Sequence, residues 1–282
     1  MNLKRYFYTK AKTRILKRMK IVWLTDIHLE FLEAEGLDRF YRRLEKAAAA
    51  SVLISGDIGQ AHTTIEFLRQ LQIAAHCPIY FVFGNHDYYH GSIDSVRSQA
   101  ARAYPSGKIQ WLSIANVVAL TKSICCIGHD GWGDGRNGDY AGSGVRLNDF
   151  ELIQELAGLP RDTRRHKLMK LGDEAAAHIR EVLPEALSAF RHVVVVTHIP
   201  PFAESAWWMG KPSAQDWQPF FSCKAMGDIL KEFMLRHPEK QMTVLCGHTH
   251  GSGYAQILPN LTVYTGSARY GYPKIQKIFE WE

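Results

Sequence analysis

Short apolar, β-branched runs alternate with longer amphipathic stretches along the 282-residue chain. The runs at 20–25, 51–54, 79–83, 123–128, 192–197 and 242–246 read as strands. Three further strands, at 254–258, 261–265 and 276–281, lie closer together. Apolar spacing near three to four residues predicts helices over 37–49, 63–74, 92–103, 148–156, 168–190 and 224–235. Pro184 predicts a bend in the fifth of these. The alternation predicts an α/β layered fold, without internal repeats or low-complexity tracts.

Two segments resist the pattern. Residues 128–144 hold seven glycines together with Trp132, Asp134, Arg136 and Asp139. Residues 200–221 hold four prolines together with Trp207, Trp208 and Trp217. Both read as long surface loops, and loops of that length in a compact domain often carry function.

Composition narrows the class. The chain is 46% hydrophobic and 22% charged, ordinary for a globular enzyme and unlike a disordered chain. Its longest apolar runs, such as Val193–Val196, fall far short of the ~18–20 residues that a membrane-spanning helix needs. The five cysteines are odd in number and include no Cys-x-x-Cys pair. They read as buried thiols in a reducing, cytoplasmic setting rather than as disulfides or a zinc site.

The net charge of +6 is local. Met1–Lys20 hold eight Lys/Arg and no acid, leaving 26 basic against 28 acidic side chains. Residues 1–18 are expected to be a basic extension, either disordered or added by a start codon upstream of Met19. A surface anchor for anionic lipid or nucleic acid is the competing reading. Residues 19–282 read as one domain with loop insertions near 128–144 and 200–221. Its slightly acidic body gives no signal for nucleic acid.

The chemistry gathers at strand ends. Asp26-Ile27-His28 follows the first strand, Gly56-Asp57 the second, and Gly84-Asn85-His86-Asp87 the third. Thr197-His198 and Gly247-His248-Thr249-His250 follow two later strands. In open α/β sheets that edge is where ligands bind. The two-residue spacing of Asp26 and His28 is expected to aim both side chains to one side. Four neutral imidazoles, two carboxylates and one amide oxygen exceed the needs of one ion. Two ions sharing a carboxylate would use them all. Such a pair can hold a hydroxide and a phosphate group. The imidazole-rich set favours Mn, Fe, Zn or Co over Mg or Ca.

These five blocks, in order over residues 21–250, resemble the signature of the calcineurin-like metallophosphoesterase superfamily. The resemblance implies a four-layer α/β/β/α sandwich with two mixed sheets and a dinuclear metal site. It implies one ion on Asp26, His28, Asp57 and His250. The second would sit on Asp57, Asn85, His198 and His248, with Asp57 as the bridge. His86 matches a histidine that contacts the phosphate or protonates the leaving oxygen, and Asp87 is expected to orient it. The protein Ser/Thr phosphatases of the superfamily carry Gly-Asp-x-x-Asp-Arg-Gly. Here Gly56-Asp57 runs into Ile58-Gly59-Gln60-Ala61, closer to bacterial members that include cyclic-nucleotide phosphodiesterases.

The function implied is a metal-dependent phosphoesterase, hydrolysing a small phosphodiester or phosphomonoester with an activated hydroxide. A nuclease of the same superfamily and a non-catalytic metal-binding scaffold are the alternatives. Arg136 suits a phosphate or carboxylate, and Trp132 and Trp207 suit a substrate wall. The competing reading is that these side chains fasten long loops to the body.

Overall fold

A computed structural model describes residues 18–282. The basic extension expected at 1–18 lies outside the described residues, apart from Arg18. The strands in chain order are β1 (Met19–Leu24), β2 (Ser51–Ser55), β3 (Ile79–Val82) and β4 (Ile109–Trp111). They continue as β5 (Val118–Ala119), β6 (Ile124–Gly128), β7 (His192–Val196), β8 (Trp207–Trp208) and β9 (Lys211–Pro212). The last are β10 (Gln241–Cys246), β11 (Gly253–Leu258), β12 (Leu261–Thr265) and β13 (Lys277–Trp281).

Two mixed sheets result. One runs β13-β1-β2-β3-β4, and the other β11-β12-β10-β7-β6-β5. β1 to β4 are mutually parallel, as are β6, β7, β10 and β12, while β13, β11 and β5 join antiparallel at the edges.

Period-two alternation explains why the central strands are apolar throughout. Val22, Leu24, Val52, Ile54, Ile79 and Phe81 face one outer core. Their neighbours Ile21, Trp23, Leu53, Tyr80 and Val82 face the space between the sheets. Val194, Val196, Cys126 and Leu245 of the second sheet meet them there. Val193, Val195, Ile127 and Val244 face a second outer core. A strand covered on both faces has no polar side to display.

Helices close the two outer faces. Ala34–Ala47, Thr64–Ala75 and Ile93–Ala103 bury Phe40, Leu44, Leu68, Leu71 and Val96 over the first sheet. Arg161–Ala189 and Lys224–Arg236 bury Ile179, Leu183, Met226 and Leu230 over the second. This is the expected α/β/β/α order of layers. No helix among the described residues is long and apolar enough to cross a membrane. All five cysteines are free and buried.

Three expectations need correction. The long helix starts at Arg161, seven residues before the expected start, and is helical on both sides of Pro184. Val182, Leu183, Ala186 and Leu187 are buried on either side of the proline, and that packing outweighs the lost hydrogen bond. The helix expected at 148–156 is one turn, Asp149–Leu152. It stops because Ile153 bridges to Gly91. The glycine-rich segment does not run over the surface as a whole: His129, Asp130, Trp132 and Asp134 are buried.

Candidate metal centre

The parallel strands β1, β2, β3, β7 and β10 all deliver their carboxyl ends to one edge. Beyond that edge the backbone turns sharply. Asp26, His28, Asp57, His248 and His250 all adopt left-handed conformations, with φ between 43° and 70°. Each such residue with a Cβ costs about 1 kcal/mol or more. These turns, rather than strand alternation, bring Asp26 and His28 to the same side.

Cross-loop hydrogen bonds hold the turns. Asp26 and His28 donate their backbone N–H to Gly56 and Asp57 at 3.0 Å. Gly247 donates to the His198 carbonyl at 2.9 Å. The loops approach so closely that a Cβ at Gly84 would collide with Asp57 Oδ1, and one at Gly247 with Asp26 Oδ2. Those positions need glycine for space.

The seven expected ligand side chains converge in two sets around Asp57. In the first, His28 Nε2 lies 3.2 Å from His250 Nε2 and 3.6 Å from Asp57 Oδ2. His250 Nε2 lies 3.5 Å from Asp26 Oδ1. In the second, Asn85 Oδ1 lies 3.0 Å from His198 Nε2 and 2.9 Å from His248 Nδ1. His198 Nε2 is 3.4 Å from Asp57 Oδ2. Asp57 Oδ2 therefore faces both sets, and it is buried without a hydrogen-bond partner.

The outer contacts decide which atoms point inward. His198 Nδ1 faces the Ser55 carbonyl at 2.9 Å, and His248 Nε2 faces the Phe220 carbonyl at 3.2 Å. A carbonyl accepts only, so those nitrogens carry the protons. The opposite nitrogens, 3.3 Å apart, both present lone pairs. Asn85 donates its amide to Asp149 at 2.8 Å and to Tyr89 at 3.2 Å, which turns its oxygen inward.

Lone pairs crowded without donors repel unless a cation sits among them. Ligand atoms about 2.1 Å from one cation lie about 2.9–3.4 Å apart at angles from square to tetrahedral. Five of the seven contacts above fall in that range, and the other two, His28–Asp57 and His250–Asp26, reach 3.6 and 3.5 Å. Asp26, His28, Asp57 and His250 have one ligand atom each within 4.8 Å of the others. The donor set fits divalent ions.

Protonation agrees. Burial, opposed by Asp26 and aided by neighbouring imidazoles, holds His28 down to about 3. Burial and the surrounding imidazoles hold His86 down to about 2. Burial likewise lowers His198 and His248, so His28, His198 and His248 are neutral and free to ligate. Burial, then the charges of Asp26 and Asp87, push Asp57 well above the carboxylate range. Such a carboxylate wants a cation.

His86 stands beside the first set, 4.6 Å from the His28 ring and stacked on Tyr89 at 4.2 Å. Its backbone N–H donates to Asp57 Oδ1 at 2.9 Å. Asp87 does not orient it. The Asp87 carboxylate accepts the backbone N–H groups of Asp57, Ile58, Gly59 and Gly84 and the hydroxyl of Thr64. Fully occupied, it ties the β2 and β3 loops together.

The expected substrate contacts are engaged by the protein itself. Arg136 is engaged by Asp134 at 3.0 Å and Asp173 at 2.7 Å. Trp132 is buried in the core, its ring 6.0 Å from Tyr88. The Trp207 ring packs on Gly253. A cavity of about 710 Å³ opens beside His250, lined by Trp208, Met209, Arg269 and Tyr270 among others. The Tyr270 ring lies 4.7 Å from His28 and 5.1 Å from His250.

Sequence reasoning missed Asp149, Tyr270 and Glu30. No spacing links Asp149 to Asn85 or Tyr270 to His250. Glu30 alone carried a signal, two positions after His28.

A family model described as calcineurin-like phosphoesterase matches residues 19–252. The chain belongs to that family. The chain also shares its fold with solved proteins of low identity. One is a phosphopantetheinyl hydrolase from Mycobacterium tuberculosis, 13% identical, with a TM-score of 0.63 over 89% of this chain and 90% of the other. A dimetal phosphatase from Danio rerio is 12% identical, with a TM-score of 0.57 over 90% and 89%. The protein TT1561 of Thermus thermophilus is 14% identical, with a TM-score of 0.51 over 89% and 90%. No curated protein is similar to the chain in sequence at a significant level.

Proposed function

We propose that this phosphoesterase hydrolyses a small phosphate ester at a dinuclear metal centre. Asp26, His28, Asp57 and His250 would hold one divalent ion. Asp57, Asn85, His198 and His248 would hold the second. The observation that carries the reading is Asp57 Oδ2, buried, unpartnered and facing both ligand sets.

When bound, the two ions supply a water of lowered pKa and offset charge on the phosphoryl group. The chain's own groups do the rest. His198 and His248 keep their inward lone pairs because Ser55 and Phe220 take the outer protons. Asp149 holds the Asn85 amide. His86, beside the first set, takes up a proton from solvent and donates it to the leaving oxygen, help typically worth ~10²–10⁴-fold. The cavity beside His250 falls within the range for small ligands, and Arg269 and Tyr270 give its wall a cation and an aromatic face. Trp132, Trp207 and Arg136 serve to anchor the loops.

The test is a paired assay with added Mn²⁺, comparing an aryl phosphomonoester with the matching diester. Activity on at least one, abolished by chelator and cut ~10²–10⁴-fold in a metal-replete His86→Ala protein, is expected. Metal-replete protein inactive on both, or unaffected by His86→Ala, sinks the reading.

A further inference from the structure

Glu30 is the one carboxylate near the centre with no work assigned. Its side chain is 9% exposed, and both carboxylate oxygens are buried without a hydrogen-bond partner. Leaving such a group unpaired costs about 1–3 kcal/mol or more, so its position needs a reason. Two donors stand beside it. His28 Nδ1 lies 3.5 Å from Glu30 Oε1. One ring nitrogen each of His28 and His86 and one Glu30 oxygen lie within 4.8 Å of one another. Both His28 Nδ1 and His86 Nδ1 are themselves buried and unpartnered.

The count balances. Two orphaned oxygens stand against two orphaned ring nitrogens in number. His28 already aims Nε2 at Asp57 and His250, so its proton belongs on Nδ1. His86 is pinned from behind by Tyr89 and through its backbone by Asp57. Asp87, the carboxylate adjacent in sequence, is consumed by other donors.

We propose that Glu30 is the positioning residue of this site, its carboxylate taking the Nδ1–H of His86 with one oxygen and that of His28 with the other. Held this way, His86 turns Nε2 toward the leaving oxygen. The neutral ring so held has no proton on Nε2, so a proton from solvent first charges it there. As the phosphorus–oxygen bond breaks, that proton passes to the oxygen and the ring returns to its neutral form with the Nδ1 proton against Glu30. The proposal rests on the acid role of His86 given above.

The experiment combines leaving-group dependence with a spectroscopic readout. Wild type, Glu30→Gln, His86→Ala and the double variant are loaded with zinc and checked by elemental analysis. Each is assayed on a nitrophenyl ester, whose oxygen leaves unaided, and on an alkyl ester, whose oxygen needs a proton. The loss in Glu30→Gln is expected to be at least about tenfold greater on the alkyl ester, as for a general-acid defect. The double variant should lose no more than His86→Ala alone.

Imidazole ¹H–¹⁵N spectra of the zinc-loaded protein should show His86 protonated at Nδ1. In Glu30→Ala the proton should spread over both nitrogens. Equal losses on the two esters, or a His86 spectrum that ignores Glu30, overturns the proposal. If instead His86→Ala spares the alkyl ester while the spectrum still responds to Glu30, the acid role fails and the contact stands.

Discussion

Two regions of this molecule bury acids equally deeply and use them in opposite ways. Behind the glycine-rich segment, Asp130 accepts from the Phe83 amide, Trp111, Ser113, Tyr88 and Arg97. Asp134 accepts from Arg136 and the Ala225 amide. At the strand edge, Asp57 Oδ2, both Glu30 oxygens, His28 Nδ1 and His86 Nδ1 have no partner. Burial does not tell the regions apart, since Asp57 and Asp134 are both 0% exposed. Hydrogen-bond accounting does. Among the buried acids, the satisfied ones fasten loops, and the orphaned ones, Asp57 and Glu30, lie at the strand edge.

Asp57→Asn is the hardest blow to that contrast. It should empty both ion positions by elemental analysis and leave less than about a thousandth of the hydrolysis, because no activated water remains at neutral pH. The chelated variant should be at least as stable as chelated wild type, since it loses an uncompensated buried charge. Retention of both ions would erase the distinction.

Asp87→Ala tests the satisfied class within the site itself. Five donors lose their acceptor, so unfolding by denaturant should show a loss of about 4 kcal/mol. A variant as stable as wild type would reassign Asp87.

Asp149→Ala should act on one ion only. Without its orienting acceptor, Asn85 can turn its oxygen away, and affinity for the second ion should fall about 10–100-fold. Titration of metal-free protein, followed by calorimetry, would show one weakened and one unchanged step.

The smallest effect concerns pH. Burial raises Glu30 to about 7 from 4.5. A folded value above the unfolded one means its stabilising share is present below 4.5 and lost as pH rises through 7. Chelated wild type should therefore lose melting temperature across that window relative to Glu30→Gln, by about 2–4 °C after allowance for partial exposure. Parallel melting curves would mean that the Nδ1–H groups of His28 and His86 already satisfy the Glu30 carboxylate in the metal-free protein.

Much of the centre was legible in the chain because its parts are local. Each central strand is an apolar run ending in Asp, Asn or His, and the five ends could be read without knowing how they meet. The convergence of Asp26 and His28 was foreseen with a different cause, since left-handed turns leave only glycine spacing as a trace. Asp87 and Arg136 were harder. Their residue types suit catalysis and phosphate binding, yet Thr64 and Asp173 occupy them from distant helices. Glu30 was open to notice beside His28, but its missing partners were not.

The sequence by itself determined the layered α/β order, the sheet edge and the residue types gathered there, because strand periodicity and turn chemistry act over a few residues. Only the tertiary structure decided which acids and imidazoles stay unpaired. Pairing is summed over loops from five strands and the helices behind them, and no local spacing encodes that sum.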